Sequence, residues 1–345
     1  MSGHLMNTRI AETTFTRDDL GLWLERVSRT FALTIRMLQE PFRTYASAAY
    51  LLCRIVDTVE DCESIGTESK CRYLLDFSNR LAGISHPGPA REIFPEPATW
   101  DEHLTLNESA ILTMVRSFPG PIQEIIFRYV QEMVEGMVMF LKLQDKNGIL
   151  HFESDEQLDQ YCYYVAGTVG LMMNEIFAVI SGTDKAASKE SAVELGIGLQ
   201  LTNIVKDIRK DRLRNIHYCP AGKSPHWPDQ ESGRFEDDPN WEIFSLASAT
   251  ISHLTDGKDY ILGLESNLTR YRMFCTANYL MAWKTLESCL RNPQQTDSPE
   301  GTKISRFSVY LTLLESRGCV ASNQFLNWRV DRLRKSCLTL VLASD

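Results

Sequence analysis

Three carboxylates interrupt an otherwise apolar run in "CRIVDTVEDC" (53–62), where Asp57, Glu60 and Asp61 follow Arg54. At about 100° per residue, Tyr50, Arg54, Asp57 and Asp61 share one side of a helix, with Glu60 at its flank. Ala48, Leu52, Ile55 and Val59 fall on the opposite side. An amphipathic surface helix would account for such a pattern, but a solvated face carries several charges per turn, and between Arg43 and Asp57 only Arg54 is charged. The stripe reads instead as a polar strip lining a cavity. Carboxylates gathered there repel one another and are costly to desolvate. A divalent cation relieves both costs, and Mg²⁺ suits the task because it binds one or two carboxylates together with phosphate oxygens.

A second acidic pair stands in "LGIGLQLTNIVKDIRKDRLR" (195–214). Gly196, Gln200, Asn203, Asp207, Asp211 and Arg214 lie on one helical stripe, while Leu201, Val205 and Ile208 turn elsewhere. Asp207 and Asp211 are one turn apart and can reach one ion or two adjacent ions. Gly196 is expected to leave space on this stripe. Taken alone, the segment would pass for a charge ladder with Lys206, Arg209, Lys210 and Arg212. Two helices, each with an acid pair and an apolar back, instead suggest facing walls with a diphosphate bridged by Mg²⁺ between them. Metal ions there would stabilise a departing diphosphate, and the resulting carbocation would need a dry, partly aromatic pocket.

The elements that must position these walls are helices. Apolar residues recur at helical spacing almost throughout; in "PIQEIIFRYVQEMVEGMVMFLKLQD", Ile122, Ile125, Ile126, Tyr129, Val130, Met133, Val134, Met137 and Leu141 form one wide stripe, and Pro121 suits a first turn. About ten helices and no substantial sheet are expected, hence an all-α fold in one domain, 1–345. The Pro-, Gly- and charge-rich segment 218–241 reads as a flap, and 1–18 and 337–345 as flexible ends. "LGIGLQ" contains G-x-G inside a helical pattern and not after a strand, so it is no dinucleotide fingerprint.

Composition narrows the class. A net charge of −9 argues against a nucleic-acid partner. Nine cysteines without a C-x-x-C pair suggest reduced thiols in a cytoplasmic setting. The N-terminus has no secretory h-region, and the most apolar tail, "CLTLVLA" (337–343), is too short to span a bilayer. A soluble protein is expected, at most resting against a membrane.

With these motifs in place, the chain resembles the squalene/phytoene synthase family, and within it the squalene synthases most. The resemblance runs through "VSRTFALTI", "AYLLCRIVDTVEDCE", "DQYCYYVAGTVGLMM", "LGIGLQLTNIVKDIRKD", "MFCTANYLMA" and "KISRFSV" in the family's order. It implies an all-α, single-domain helical bundle of the trans-prenyl synthase type with a central cavity. It also implies an enzyme that joins two farnesyl diphosphates head to head through presqualene diphosphate to squalene, with Mg²⁺ and NADPH. By resemblance, Asp57, Glu60, Asp61, Asp207 and Asp211 bind Mg²⁺; Tyr161 is the catalytic tyrosine; and Tyr50 and Arg54 help release diphosphate. Arg29, Thr30, Phe31, Gln200, Asn203, Arg214 and Phe274 fall at substrate positions, and Asn203, Lys206 and Lys303 at those facing NADPH. NADPH enters by resemblance alone. A monomer and no C-terminal membrane anchor are expected, with peripheral membrane contact for product release.

Departures gather on the reductant side. Lys206 replaces the arginine usual before the second motif, Lys210 replaces an acid, and the flap's usual arginine aligns with Ile216, where Arg212 or Arg214 could substitute. Asn278-Tyr279 replaces Pro-Gln, and Ser305 stands where a second basic residue often lies. Alternatives are therefore the same fold stopping at presqualene diphosphate, dehydrosqualene or an alcohol; prenyl transfer to another acceptor; or a non-catalytic module that binds isoprenoid diphosphates.

Overall fold

The computed structural model describes residues 16–28, 30–84, 90–182, 188–219, 240–265, 267–297, 302 and 304–343. Fifteen α-helices occur among them: α1 (Arg17–Val27), α2 (Thr30–Ile35), α3 (Phe42–Asp61), α4 (Thr67–Leu81), α5 (Ala90–Ile93), α6 (Trp100–Leu106), α7 (Glu108–Arg116), α8 (Gly120–Leu141), α9 (Asp155–Cys162), α10 (Thr168–Ser181), α11 (Lys189–Leu213), α12 (Trp241–Gly263), α13 (Thr269–Arg291), α14 (Arg306–Ala321) and α15 (Asn323–Leu342). The expected ten were too few because short helices such as α2, α5, α6 and α7 lack the length that makes a periodic stripe visible. The all-α reading holds. The described strands are one parallel pair, β1 (Leu150–His151) and β2 (Ile216–His217), which ties the exit of α8 to the exit of α11.

Local chemistry sets the helix starts. Thr16 and Asp19 form a capping box for α1, and Thr99 and Glu102 one for α6. Ser154 and Ser188 cap α9 and α11 through Gln157 N and Ser191 N. Pro121 sits in the first turn of α8, where its missing N–H costs nothing.

Helix α11 is the hub, packed against α10, α12, α13 and a single π turn, Tyr163–Gly167, between α9 and α10. Gly196 works here, but not as expected. A Cβ on it would collide with the Ala166 carbonyl and lie 3.0 Å from the Gly167 Cα, so the glycine lets the π turn press onto α11 rather than leaving room for a ligand. The buried backs of the acidic helices match expectation: Ala48, Leu52, Ile55 and Val59 on α3, and Leu201, Val205 and Ile208 on α11.

The ends differ from expectation. Residues 337–342 are the last turns of α15, where Cys337 and Val341 fall on the inner face and are buried while Leu342 is exposed. Arg17 and Asp18 already belong to α1. Of the expected flap, residues 220–239 lie outside the described residues; Tyr218 and Cys219 are buried and Trp241 opens α12. Among the described residues one continuous helical stretch, Asp155–Ser181, is long and apolar enough to cross a membrane; it packs against α8 and α11 within the bundle.

Candidate active site

Both acidic sets sit at the C-terminal ends of their helices. Asp57, Glu60 and Asp61 occupy the last turns of α3, and Asp207 and Asp211 those of α11. Helix C-termini carry partial negative charge, so carboxylates there meet repulsion from the backbone as well as from each other. The fold answers with cations. Arg214, just past α11, ion-pairs with Asp61 and donates from Nη1 to Asp211 Oδ1 at 3.1 Å. Lys70 Nζ, buried on α4, donates to the Glu60 carbonyl at 2.6 Å and caps the end of α3. One guanidinium therefore touches both acidic helices, which puts the two motifs at a common site.

The charge balance is incomplete. Burial pushes the Asp57 carboxyl up to about 7, with Asp61 and Asp101 adding to the rise against Arg54. Asp211 is pushed up to about 6, again chiefly by burial, although Arg214 opposes it. Burial and Asp61 also raise Glu60. Burial works to raise Asp61, although its side chain keeps 46% of its surface exposed, but Arg214 and a hydrogen bond with Glu60 more than reverse this and hold it low. Carboxylates that resist ionisation while presenting only oxygen donors are the chemistry that accepts a hard divalent cation. No group of three or more Asp, Glu, His or Cys side chains among the described residues is arranged to hold an ion by themselves. The donor set fits metal ions shared with a phosphate ligand, across a gap that Arg214 now spans.

Of the other expected residues, Arg54, Tyr50, Tyr161 and Lys206 lie close enough to this centre to contact its acids or feel their charge. Arg54 Nε donates to Asp101 Oδ1 at 2.7 Å, so α6 fixes the guanidinium beside Asp57. Tyr50 packs its ring against Phe31 with centroids 5.5 Å apart, on the stripe that leads to Arg54. Tyr161 is buried among Phe140, Phe152 and Tyr218, at ring distances of 5.1, 5.5 and 6.2 Å. Burial, then the charge of Glu60, raises its phenol well above its ordinary range, so the side chain stays protonated. Phe274 is half-buried and continues an aromatic series through Tyr271 to Phe177, whose rings stack at 4.2 Å. Gln200 is half-buried on α11 and Thr30 is exposed at the start of α2. Asn203 and Lys206 stand together, Lys206 Nζ lying 3.4 Å from Asn203 Oδ1 and 3.1 Å from Asp207 Oδ2. Arg29 and Lys303 lie outside the described residues, although the neighbouring Thr302 N–H donates to the Lys206 carbonyl at 3.4 Å.

The departures have structural uses. Ile216 is buried in β2. Arg212 pairs with Glu242, so of these two arginines it is Arg214 that reaches the acidic site. Asn278 accepts from Thr34 Oγ1 at 3.2 Å, joining α13 to α2, and the Tyr279 hydroxyl donates to the Leu254 carbonyl at 2.7 Å, joining α13 to α12. Ser305 caps α14 by accepting from Ser308 N.

Three participants were missed from the sequence. Tyr218 donates to Asp211 Oδ2 at 3.2 Å, and no spacing signal marks it. Asp101 sits in the short helix α6, which the helical periodicity did not single out. Lys70 did leave a signal: it shares an i, i+4, i+7, i+11 face with Leu74, Phe77 and Leu81, an odd place for an unpaired lysine.

The helical bundle has the all-α fold of the isoprenoid synthases. A family model for squalene/phytoene synthase matches residues 24–308, and the chain belongs to that family. The squalene synthase of Schizosaccharomyces pombe is 28% identical over 281 residues, 78% of this chain and 59% of its own length. The chain thus spans about three-fifths of that relative. A solved structure of TcSQS with a ligand matches the fold at a TM-score of 0.75 and 22% identity, covering 95% of this chain and 99% of the other. A dehydrosqualene synthase in complex with ligand matches at 0.57 and 19% identity, covering 88% and 96%.

Proposed function

We propose that the chain is a Mg²⁺-dependent prenyltransferase that joins two farnesyl diphosphates head to head through presqualene diphosphate, and reduces the product to squalene with NADPH. The observation that carries the reading is the contact of Arg214 with both Asp61 and Asp211, which makes the two acidic motifs one site. Family membership supports the substrate class.

In this reading Asp57, Glu60 and Asp61 on one wall, and Asp207 and Asp211 on the other, would hold Mg²⁺. Bound Mg²⁺ would offset the charge of the diphosphate and favour its departure. Arg214 is released from its carboxylates to bind a diphosphate oxygen, for which a planar guanidinium is well shaped. Arg54, oriented by Asp101, receives the leaving group from the α3 side. Tyr50 hydrogen-bonds at the same mouth, while Phe31 and Phe274 line the path of the allylic cation and exclude water. Thr30, Gln200 and, at positions outside the described residues, Arg29 add polar contacts to substrate. Tyr161, protonated, positions the diphosphate that accepts the proton lost on cyclopropane closure, and passes that proton on as a relay.

For NADPH, whose chemistry is hydride donation, Asn203, Lys206 and Lys303 would supply an amide and two cations for its phosphates. A second reading ends the reaction without reduction. It is favoured by Lys206, which is engaged with Asp207, and by Ser305, which caps a helix where a base would serve the cofactor.

Labelled farnesyl diphosphate with Mg²⁺, incubated with and without NADPH, separates the readings. Squalene formed only with NADPH supports the first; one product in both incubations supports the second. Diphosphate bound tightly but never released would overturn both and favour a binding module.

A further inference from the structure

Helices α14 and α15 turn an apolar face away from the bundle. On α14, Phe307, Tyr310, Leu311 and Leu314 follow i, i+3, i+4, i+7 spacing and are exposed, Phe307 by 69%, while Thr312, Ser316 and Cys319 face inward. On α15, Phe325, Trp328 and Leu342 are exposed on the side opposite Leu326, Val330, Leu333 and Cys337. The two stripes are continuous, because the Phe325 ring lies over Gly318, 3.0 Å from where its Cβ would stand, and stacks on Trp328 at 5.4 Å. An exposed patch of this kind marks an interaction site.

Its border is basic, in a chain of net charge −9. Arg306, Arg317, Arg332, Arg334 and Lys335 are exposed, and none is ion-paired among the described residues. Arg332 lies over the Trp328 ring at 5.1 Å. Of the acids on these helices, Glu315 is engaged by Lys284 at 2.8 Å and by Arg329 at 3.4 Å, which leaves Asp331. Aromatic and aliphatic residues in the centre, with arginine and lysine beside them, are the composition of a helix that lies in a lipid interface. A second copy of the chain fits less well, since a two-fold contact through the patch would set its arginines against themselves.

We propose that the α14–α15 hairpin docks on the surface of an anionic lipid bilayer, with Phe307, Leu314 and Trp328 entering the interface and Arg317 and Arg332 meeting the headgroups. These helices carry none of the acidic-site residues, so the proposal stands or falls apart from the reaction assigned above.

The test is sedimentation of the full chain with vesicles of phosphatidylcholine alone and with added phosphatidylglycerol. The chain is expected to sediment with the anionic vesicles, to bind the neutral ones far less, and to be released by salt. Leu314→Ser with Trp328→Ser should abolish binding. Arg317→Glu with Arg332→Glu, at positions too exposed to affect folding, should weaken it by at least roughly fivefold for each arginine lost. Far-UV CD should match the wild type for both. A chain that stays in the supernatant with anionic vesicles, or either double variant binding as the wild type does, overturns the proposal. So does a concentration-dependent dimer in sedimentation velocity that Leu314→Ser with Trp328→Ser dissolves, since the face would then belong to a second copy.

Discussion

Arg214 ion-pairs with Asp61, 153 residues earlier in the chain, while the same guanidinium holds Asp211 one turn behind it. This single side chain joins the end of α3 to the end of α11. The negative ends of two helices and their acids would otherwise repel.

Removing that cation should therefore cost stability before it costs activity. Arg214→Ala is expected to destabilise the fold by about 1–3 kcal/mol, less than a fully buried pair because Asp61 is half exposed. Urea midpoints report it. Adding Asp211→Asn should recover part of the loss, and an unchanged midpoint for Arg214→Ala would contradict the bridging role.

Asp101 is expected to act through Arg54, which it holds at 2.7 Å. Asp101→Asn should lower kcat by about tenfold with little change in KM, because in the proposed reaction the arginine would serve departure more than binding. Combined with Arg54→Ala it should cost no more than Arg54→Ala alone. Losses that multiply would show that Asp101 has a separate task.

His253 lies between Asp159 and Glu194, at 3.2 and 2.6 Å. Burial pulls its pKa down, but the two carboxylates outweigh this and lift it to about 9. The raised value means that the stabilisation is complete below about 6.5, the ordinary histidine pKa, and fades as pH climbs through 9. The Tm should fall across that window by an amount worth roughly 1–3 kcal/mol, and His253→Gln should flatten the fall. A wild-type Tm independent of pH from 6 to 9.5 would refute this.

Gly196→Ala is expected to cost roughly 1–3 kcal/mol, because its methyl group meets the Ala166 carbonyl. Thermal melting decides the matter. A variant as stable as the wild type would mean that the π turn can withdraw from α11 freely.

The walls of the site were legible in the sequence because helical spacing alone sorts Asp57 and Asp61 from Ile55 and Val59, and Asp207 and Asp211 from Val205 and Ile208. What faces a stripe is not encoded in its spacing. Gly196 was assigned to the right side of α11, yet what meets it is backbone from a π turn whose position depends on packing. Asp101 and Tyr218 reach the site through tertiary contacts that leave no periodic trace. Lys70 broke an apolar stripe and could have been noticed. The segment 337–342 read as a loose end because its apolar residues were judged against a membrane span rather than against the inner face of an amphipathic helix.

The most direct measurement is diphosphate release from farnesyl diphosphate with Mg²⁺, made on Asp57→Asn and Asp207→Asn beside their far-UV CD. A shared site predicts that each substitution, though on a different helix, lowers release by at least roughly 100-fold with the helical signal unchanged. Loss of release in only one variant, or loss of helix in both, would contradict it.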